Sequence, residues 1–288
     1  MRELQQVMET QTPLSPKYYR ITRDSEGVIQ ALETAIVRFG RSNSDPHGAT
    51  VDLVGAIHLG ERSYYDKLEQ EFDQYDVVLY EGILPRKRQF LSMKDRNPFT
   101  MLNRALAHQL ELEYQPDCIN YRRANFEHAD LLWREYRKSV RRRHEHSLLG
   151  LPVPVEMKQE GIDQQEFERL VDDAVANFFQ RYLTAEPGLE LRRTFVTELL
   201  EADGAESALF SQSSTLLTER NQVALSALTR ELKRDKKRLA IFYGCAHMPD
   251  FESHLTNDFG MQRLEEQWLV AWDMSTMDTQ KGTASHRL

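Results

Sequence analysis

Two stretches of the chain repeat one pattern, and that repetition limits what the sequence can fold into. In the first, Val51, Leu53 and Val54 form an apolar run broken only by Asp52, and Gly55-Ala56-Ile57-His58 follows at once. Such a run reads as a buried strand ending at Gly55, with His58 at its carboxyl end. Gly60-Glu61-Arg62-Ser63 then opens a polar turn, after which Tyr64, Tyr65, Leu68 and Phe72 recur at helical spacing, as a helix packing back on a sheet requires. In the second stretch residues 239–243 are apolar, Gly244-Cys245-Ala246-His247 repeats the Gly-x-x-His spacing, and Met248-Pro249-Asp250 starts a helix carrying Phe251 and Leu255. A further strand over 76–80 ends in Glu81-Gly82. In open α/β sheets ligands bind outside the carboxyl ends of the strands, so His58, Glu81 and His247 are expected to share one crevice. One Gly-x-x-His carries almost no information; two, each at the same place in a strand-to-helix unit, form a more specific constellation.

These units place the chain in the α/β class, with a central mixed, mainly parallel sheet flanked by helices. Residues 18–39 read as two strands joined at Asp24-Ser25-Glu26-Gly27, a hairpin expected to extend one edge of the sheet. Between 85 and 214 strand-like runs are few, and helices are expected over 99–112, 131–143, 163–183 and 189–200. Another helix is expected over 214–234, and a last strand over 261–274. The organisation that follows is a discontinuous α/β core, 18–84 and 215–274, with a helical insertion over 85–214. Polar tails occupy 1–17 and 275–288.

The formal charge of -8 disfavours a nucleic-acid partner. No run approaches the ~18 apolar residues of a membrane span, and the first residues lack the apolar segment of a signal peptide, so a cytoplasmic protein is expected. Cys118 and Cys245 are the two cysteines. They suit a reducing compartment and exclude a structural zinc knuckle.

Two imidazoles and a carboxylate are ligands that a divalent metal commonly takes. A metal on His58, Glu81 and His247 would lower the pKa of bound water and supply a hydroxide nucleophile, which points to metal-assisted hydrolysis. The structural alternative is two buried histidines satisfied by backbone carbonyls. Glu81, after three aliphatic residues and an aromatic, needs a cation, a donor or a proton, or else caps the next turn. Glu219-Arg220-Asn221 adds an acid, a fixed cation and an amide; Arg220 either orients Glu81 or holds an oxyanion, or the three belong to a solvated helix face. His128 and Asp130 are read as a helix-start arrangement, with Asp130 as cap, or as groups reaching the site. His144 and His146 close a basic run that is either a solvated helix end or a contact for an anionic partner. Cys245 beside His247 does not make a nucleophile pair, because sequence adjacency does not put sulfur on imidazole.

With these motifs the chain resembles the TraB/PrgY/GumN family, which takes in the Tiki proteases. The likeness is carried by Val54-Gly55-Ala56-Ile57-His58-Leu59-Gly60, Val78-Leu79-Tyr80-Glu81-Gly82, Glu219-Arg220-Asn221 and Tyr243-Gly244-Cys245-Ala246-His247. The resemblance implies a fold similar to the erythromycin-esterase and ChaN-like proteins, with both histidines and the glutamate in one cleft. For Tiki-like members it implies a metalloprotease using manganese or cobalt, and for TraB and PrgY it implies negative control of peptide pheromone signalling. The leading expectation is therefore a metal-dependent hydrolase (Mn, Co or Zn) acting on a peptide or small-molecule substrate. In it His58 and His247 ligate the ion, Glu81 is ligand or general base, and Arg220 steadies negative charge. The alternatives are a non-catalytic binding protein and a metal-free hydrolase of the erythromycin-esterase type in which one histidine activates water.

Overall fold

A computed structural model describes residues 18–41, 48–86, 98–143, 146–148, 151–153, 177, 180–201 and 215–275. The chain begins with β1 (Tyr19–Arg23) and β2 (Ile29–Gly40). In the turn between them Gly27 has φ +82°, and Asp24 Oδ1 accepts the Glu26 and Val28 N–H groups. That left-handed φ is why glycine stands there. Next come β3 (Thr50–Ala56), the short β4 (Leu59–Gly60), α1 (Arg62–Phe72) and β5 (Val77–Tyr80). The middle of the chain supplies α2 (Pro98–Gln109), β6 (Glu113–Tyr114), α3 (Gln115–Cys118), β7 (Phe126–His128) and α4 (Trp133–Arg143). A small hairpin, β8 (His146–Leu148) and β9 (Leu151–Val153), precedes α5 (Leu189–Glu201). The last part is α6 (Thr215–Lys233), β10 (Arg238–Gly244), a 3₁₀ turn (Cys245–His247), α7 (Met248–Asn257) and β11 (Gln262–Asp273).

Seven of these strands form one mixed sheet, in the order β1-β2-β3-β10-β5-β7, with β11 also on β2. β10 runs parallel to β3 on one side and β5 on the other, and β7 adds parallel to β5. The remaining pairings, β1 with β2, β2 with β3 and β11 with β2, are antiparallel. The sheet is thus half parallel and half antiparallel rather than mainly parallel. The N-terminal hairpin does not form the outermost edge beyond β3, because β11 lies past β2. β1 pairs with the first half of β2 and β3 with the second, so both occupy the same side, and β11 covers the other.

Alternation along the central strands divides the core into two layers. Val54, Val78, Tyr80, Ala240 and Phe242 face α1, whose Tyr64, Tyr65, Leu68 and Phe72 are all buried. Leu53, Leu79, Ile241 and Tyr243 face the opposite way, against Ala224 and Leu228 of α6 and Phe251 and Leu255 of α7. Each fully buried aliphatic or aromatic side chain contributes about 1.5–3 kcal/mol, and helices on both faces explain why β3, β5 and β10 are apolar almost throughout.

The segment 85–214 is not wholly helical, since β7 belongs to the main sheet. Its three residues, Phe126, Glu127 and His128, are too few to show a period. The helix expected over 163–183 lies outside the described residues except for 177 and 180–183, and His144 lies outside them altogether. No helix among the described residues is long and apolar enough to cross a membrane.

Candidate functional site

Three adjacent parallel strands end side by side, and each delivers one of the groups singled out above. β10, in the middle, leads into the turn that carries His247; β5 leads directly into Glu81, and β3 leads to His58. The Glu81 N–H continues the pairing by donating to the Phe242 carbonyl at 3.0 Å. Its side chain turns toward β10, where Oε2 accepts the Gly244 N–H at 2.7 Å. Across from it, Arg220 on α6 donates through Nη2 to Glu81 Oε1 at 2.6 Å. The same guanidinium grips Asp130 with two bonds, Nη2 to Oδ2 at 2.7 Å and Nε to Oδ1 at 3.0 Å. Asp130 has no exposed side-chain surface and also accepts the N–H groups of Gly82 and Leu131 at 2.9 and 2.7 Å. His247 completes the group, with Nε2 3.4 Å from Arg220 Nη1 and 3.6 Å from Glu81 Oε1.

Burial alone would raise the Glu81 carboxyl. The Arg220 guanidinium, followed by His247 and His58, reverses that and holds it well below the usual carboxylate range. Burial likewise works against the Arg220 charge, but Asp130 and Glu81 outweigh it and push the guanidinium still higher. Glu81 is therefore a fixed carboxylate paired with a fixed cation, and proton transfer falls to the imidazoles.

Both imidazoles are held in the same way. Asn221 donates through Nδ2 to Asp250 at 2.7 Å, which turns its amide oxygen to His247 Nδ1 at 2.5 Å. Gln115 donates through Nε2 to the Tyr121 hydroxyl at 2.9 Å, which turns its amide oxygen to His58 Nδ1 at 3.2 Å. An amide oxygen only accepts, so each Nδ1 carries a proton, and in the neutral ring Nε2 presents the lone pair. The two rings differ in access. His247 is 4 % exposed, between Tyr243 and Phe251, whereas His58 is exposed at the lip of the site.

The glycines of the two repeats have separate reasons. A Cβ on Gly55 would stand 3.1 Å from the Cys245 sulfur and 3.2 Å from the Ala35 carbonyl oxygen, so glycine lets the first repeat close on the second. A Cβ on Gly244 would meet Glu81 Oε2 at 3.4 Å, an ordinary contact.

Other groups named from the sequence go elsewhere. Glu219 accepts from Ser139 and stands 3.8 Å from Arg142, facing α4 rather than Glu81. His128 donates through Nε2 to the Gly82 carbonyl at 2.5 Å and sets its ring edge-on to Tyr80. Cys245 is buried, with its thiol on the Tyr18 carbonyl, and burial pushes that thiol far up. Asp130 serves as the second anchor of Arg220. Gln115, Tyr121 and Asp250 were not singled out from the sequence. Gln115 reaches His58 because the two-residue pairing of β4 with β6 brings it there, and a contact of that kind leaves no pattern in spacing. Asp250, three residues beyond His247 in the first turn of α7, was the legible one.

A divalent metal would have to take Glu81 and both Nε2 atoms, and the donor types suit it. The assembly does not. Glu81 has one oxygen on Arg220 and the other on the Gly244 N–H, and the His247 lone pair faces the guanidinium. Arg220, clamped by Asp130, already fills the cation's place between them. Among the described residues no group of three His, Cys, Asp or Glu is gathered in a metal-holding arrangement. No family model, curated protein or solved structure matches this chain.

Proposed function

We propose that the chain is a hydrolase of amide or ester bonds that works without a metal ion, acting on a peptide or small molecule at the carboxyl ends of β3, β5 and β10. The reading rests on one observation: an exposed imidazole, its Nδ1 on Gln115, ends the strand next to β10 and adds to the field that keeps the largely buried Glu81–Arg220 pair charged. Imidazole as a class suits proton transfer near neutral pH. In the proposed reaction His58 Nε2 takes a proton from water as the oxygen adds to the substrate carbonyl carbon. Arg220 spends Nε and Nη2 on Asp130 and Glu81, and turns one N–H of Nη1 toward His247; the other N–H of Nη1 is the donor assigned to the developing oxyanion. His58 then returns its proton to the leaving nitrogen or oxygen as that bond breaks. Glu81 offsets the guanidinium charge and keeps the group in register.

We also propose that the chain is a divergent member of the TraB/PrgY/GumN group, with the erythromycin-esterase/ChaN-like arrangement. The order His58, Glu81, Arg220, His247 along the chain, with Glu81 and His247 at the carboxyl ends of β5 and β10 and Arg220 between them, supports this assignment. The test is a panel of chromogenic esters and fluorogenic peptides with the wild type and His58→Ala. Turnover by the wild type, abolished in the variant, is the expected result. Saturable binding without turnover would replace the reading with that of a sequestering protein.

A further inference from the structure

The described arginines are mostly paired. Arg38, Arg104, Arg123, Arg192 and Arg263 each hold a carboxylate. The outer face of α4 departs from this. Arg134, Arg137 and Lys138 are exposed, lie at i, i+3 and i+4 on one helix face, and form no ion pair among the described residues. Like charges at this spacing repel one another, and they do so in a chain whose formal charge is -8. The opposite face is anchored by Tyr136 and Ser139, 2 % and 1 % exposed, with the Ser139 hydroxyl on Glu219 of α6. The stripe therefore points outward because the helix is fixed from behind. Trp133 opens the same helix at 44 % exposure, its ring stacked on Tyr136 at 5.8 Å.

The position of α4 links the stripe to the site. Leu84 and Leu132 extend the β5–β7 pairing past its carboxyl end, and the Trp133 N–H donates to the Leu84 carbonyl at 2.9 Å. The helix thus starts at the Glu81 end of the sheet, three residues after the Asp130 that clamps Arg220.

We propose that this face of α4 binds an extended acidic peptide, and that such peptides are the substrate class. The second half of that statement rests on the hydrolase reading; the first does not. Arg134 and Lys138 are about 6 Å apart along the helix axis, close to the roughly 6.6 Å between alternate side chains of an extended strand. Carboxylates at alternate positions therefore match the stripe, and Trp133 offers an apolar ring at the end nearest the site. A short acidic segment carries only the few carboxylates that the stripe can pair, whereas a nucleic acid brings one phosphate per nucleotide, far more like charge than three cations offset in a chain of formal charge -8.

The experiment is fluorescence anisotropy at low ionic strength with three probes: a short labelled oligoglutamate, a Gly-Ser peptide of equal length, and an oligouridylate. The proteins are the wild type and R134E/R137E/K138E, whose charges lie outside the hydrolytic group. The expected result is binding of oligoglutamate alone, weakened by added salt, and about tenfold or more weaker in the triple variant at unchanged circular dichroism. Equal binding by both proteins, equal binding of the Gly-Ser peptide, or tighter binding of oligouridylate overturns the proposal. Oligoglutamate that binds through the stripe but is not cleaved upholds the surface and overturns only the substrate assignment. Anisotropy reads binding without turnover, so the surface is judged separately from the hydrolase.

Discussion

Asn221 places its amide oxygen 2.5 Å from Nδ1 of His247 and holds that orientation by donating to Asp250. The contact decides which nitrogen of the ring faces Glu81 and Arg220. In long-range ¹H–¹⁵N spectra of the wild type, His58 and His247 are both expected as Nδ1–H tautomers. Asn221→Leu should release His247 from that state and leave His58 in it, since Gln115 is untouched. A stability loss of about 1–3 kcal/mol should accompany it, the usual consequence of a buried polar atom without a partner. A merely structural Asn221 would lower stability without moving the tautomer.

Arg220 pairs with two carboxylates at once, Glu81 and the fully buried Asp130. Arg220→Met leaves both without a countercharge and is expected to cost about 3–5 kcal/mol in urea unfolding. The pH dependence follows from Glu81. Its folded pKa is depressed, so the stabilisation is complete above the ordinary carboxylate value of about 4.3 and is lost as pH falls from there toward the folded value. Between about pH 5 and pH 3, wild-type stability should therefore fall more steeply than that of Glu81→Gln.

The two repeat glycines should respond differently to a methyl group. Gly55→Ala pushes against the Ala35 backbone and the Cys245 sulfur, and a loss of about 1–3 kcal/mol is expected. Gly244→Ala meets only ordinary contact with Glu81 and should change stability by less than about 1 kcal/mol. Thermal unfolding of the two variants side by side checks the contrast.

Asp52, the one polar interruption of the β3 run, is 1 % exposed and receives two bonds from Arg38 at 2.9 Å and one from the Tyr75 hydroxyl at 2.8 Å. Arg38→Met strands the carboxylate and should cost about 3 kcal/mol, with Tyr75→Phe nearer 1 kcal/mol. Replacing Arg38 and Asp52 together by apolar residues should recover most of the loss, measured by the same denaturant titration.

These particulars show what the sequence discloses and what it conceals. The strand ends at His58, Glu81 and His247 were legible because β3, β5 and β10 are buried on both faces, and burial writes itself as near-continuous apolar runs. The long β11 was also readable as a strand, but its place beside β2 was not, since pairing leaves no local mark. Asp130 and Arg220 stand 90 residues apart, and Gln115 and His58 57 apart, so their meeting depends on the fold rather than on any spacing. The choice between a metal and a guanidinium as the counterion of Glu81 is of the same kind. Imidazole and carboxylate at strand ends serve either, and the clamp by Asp130 is what favours the guanidinium.

The most direct test of the central claim is turnover by protein stripped of divalent ions and assayed in excess chelator against the best substrate of the panel. The account predicts that activity survives the chelator and disappears in His58→Ala. Activity lost on stripping and restored by Mn²⁺, Co²⁺ or Zn²⁺ would contradict it.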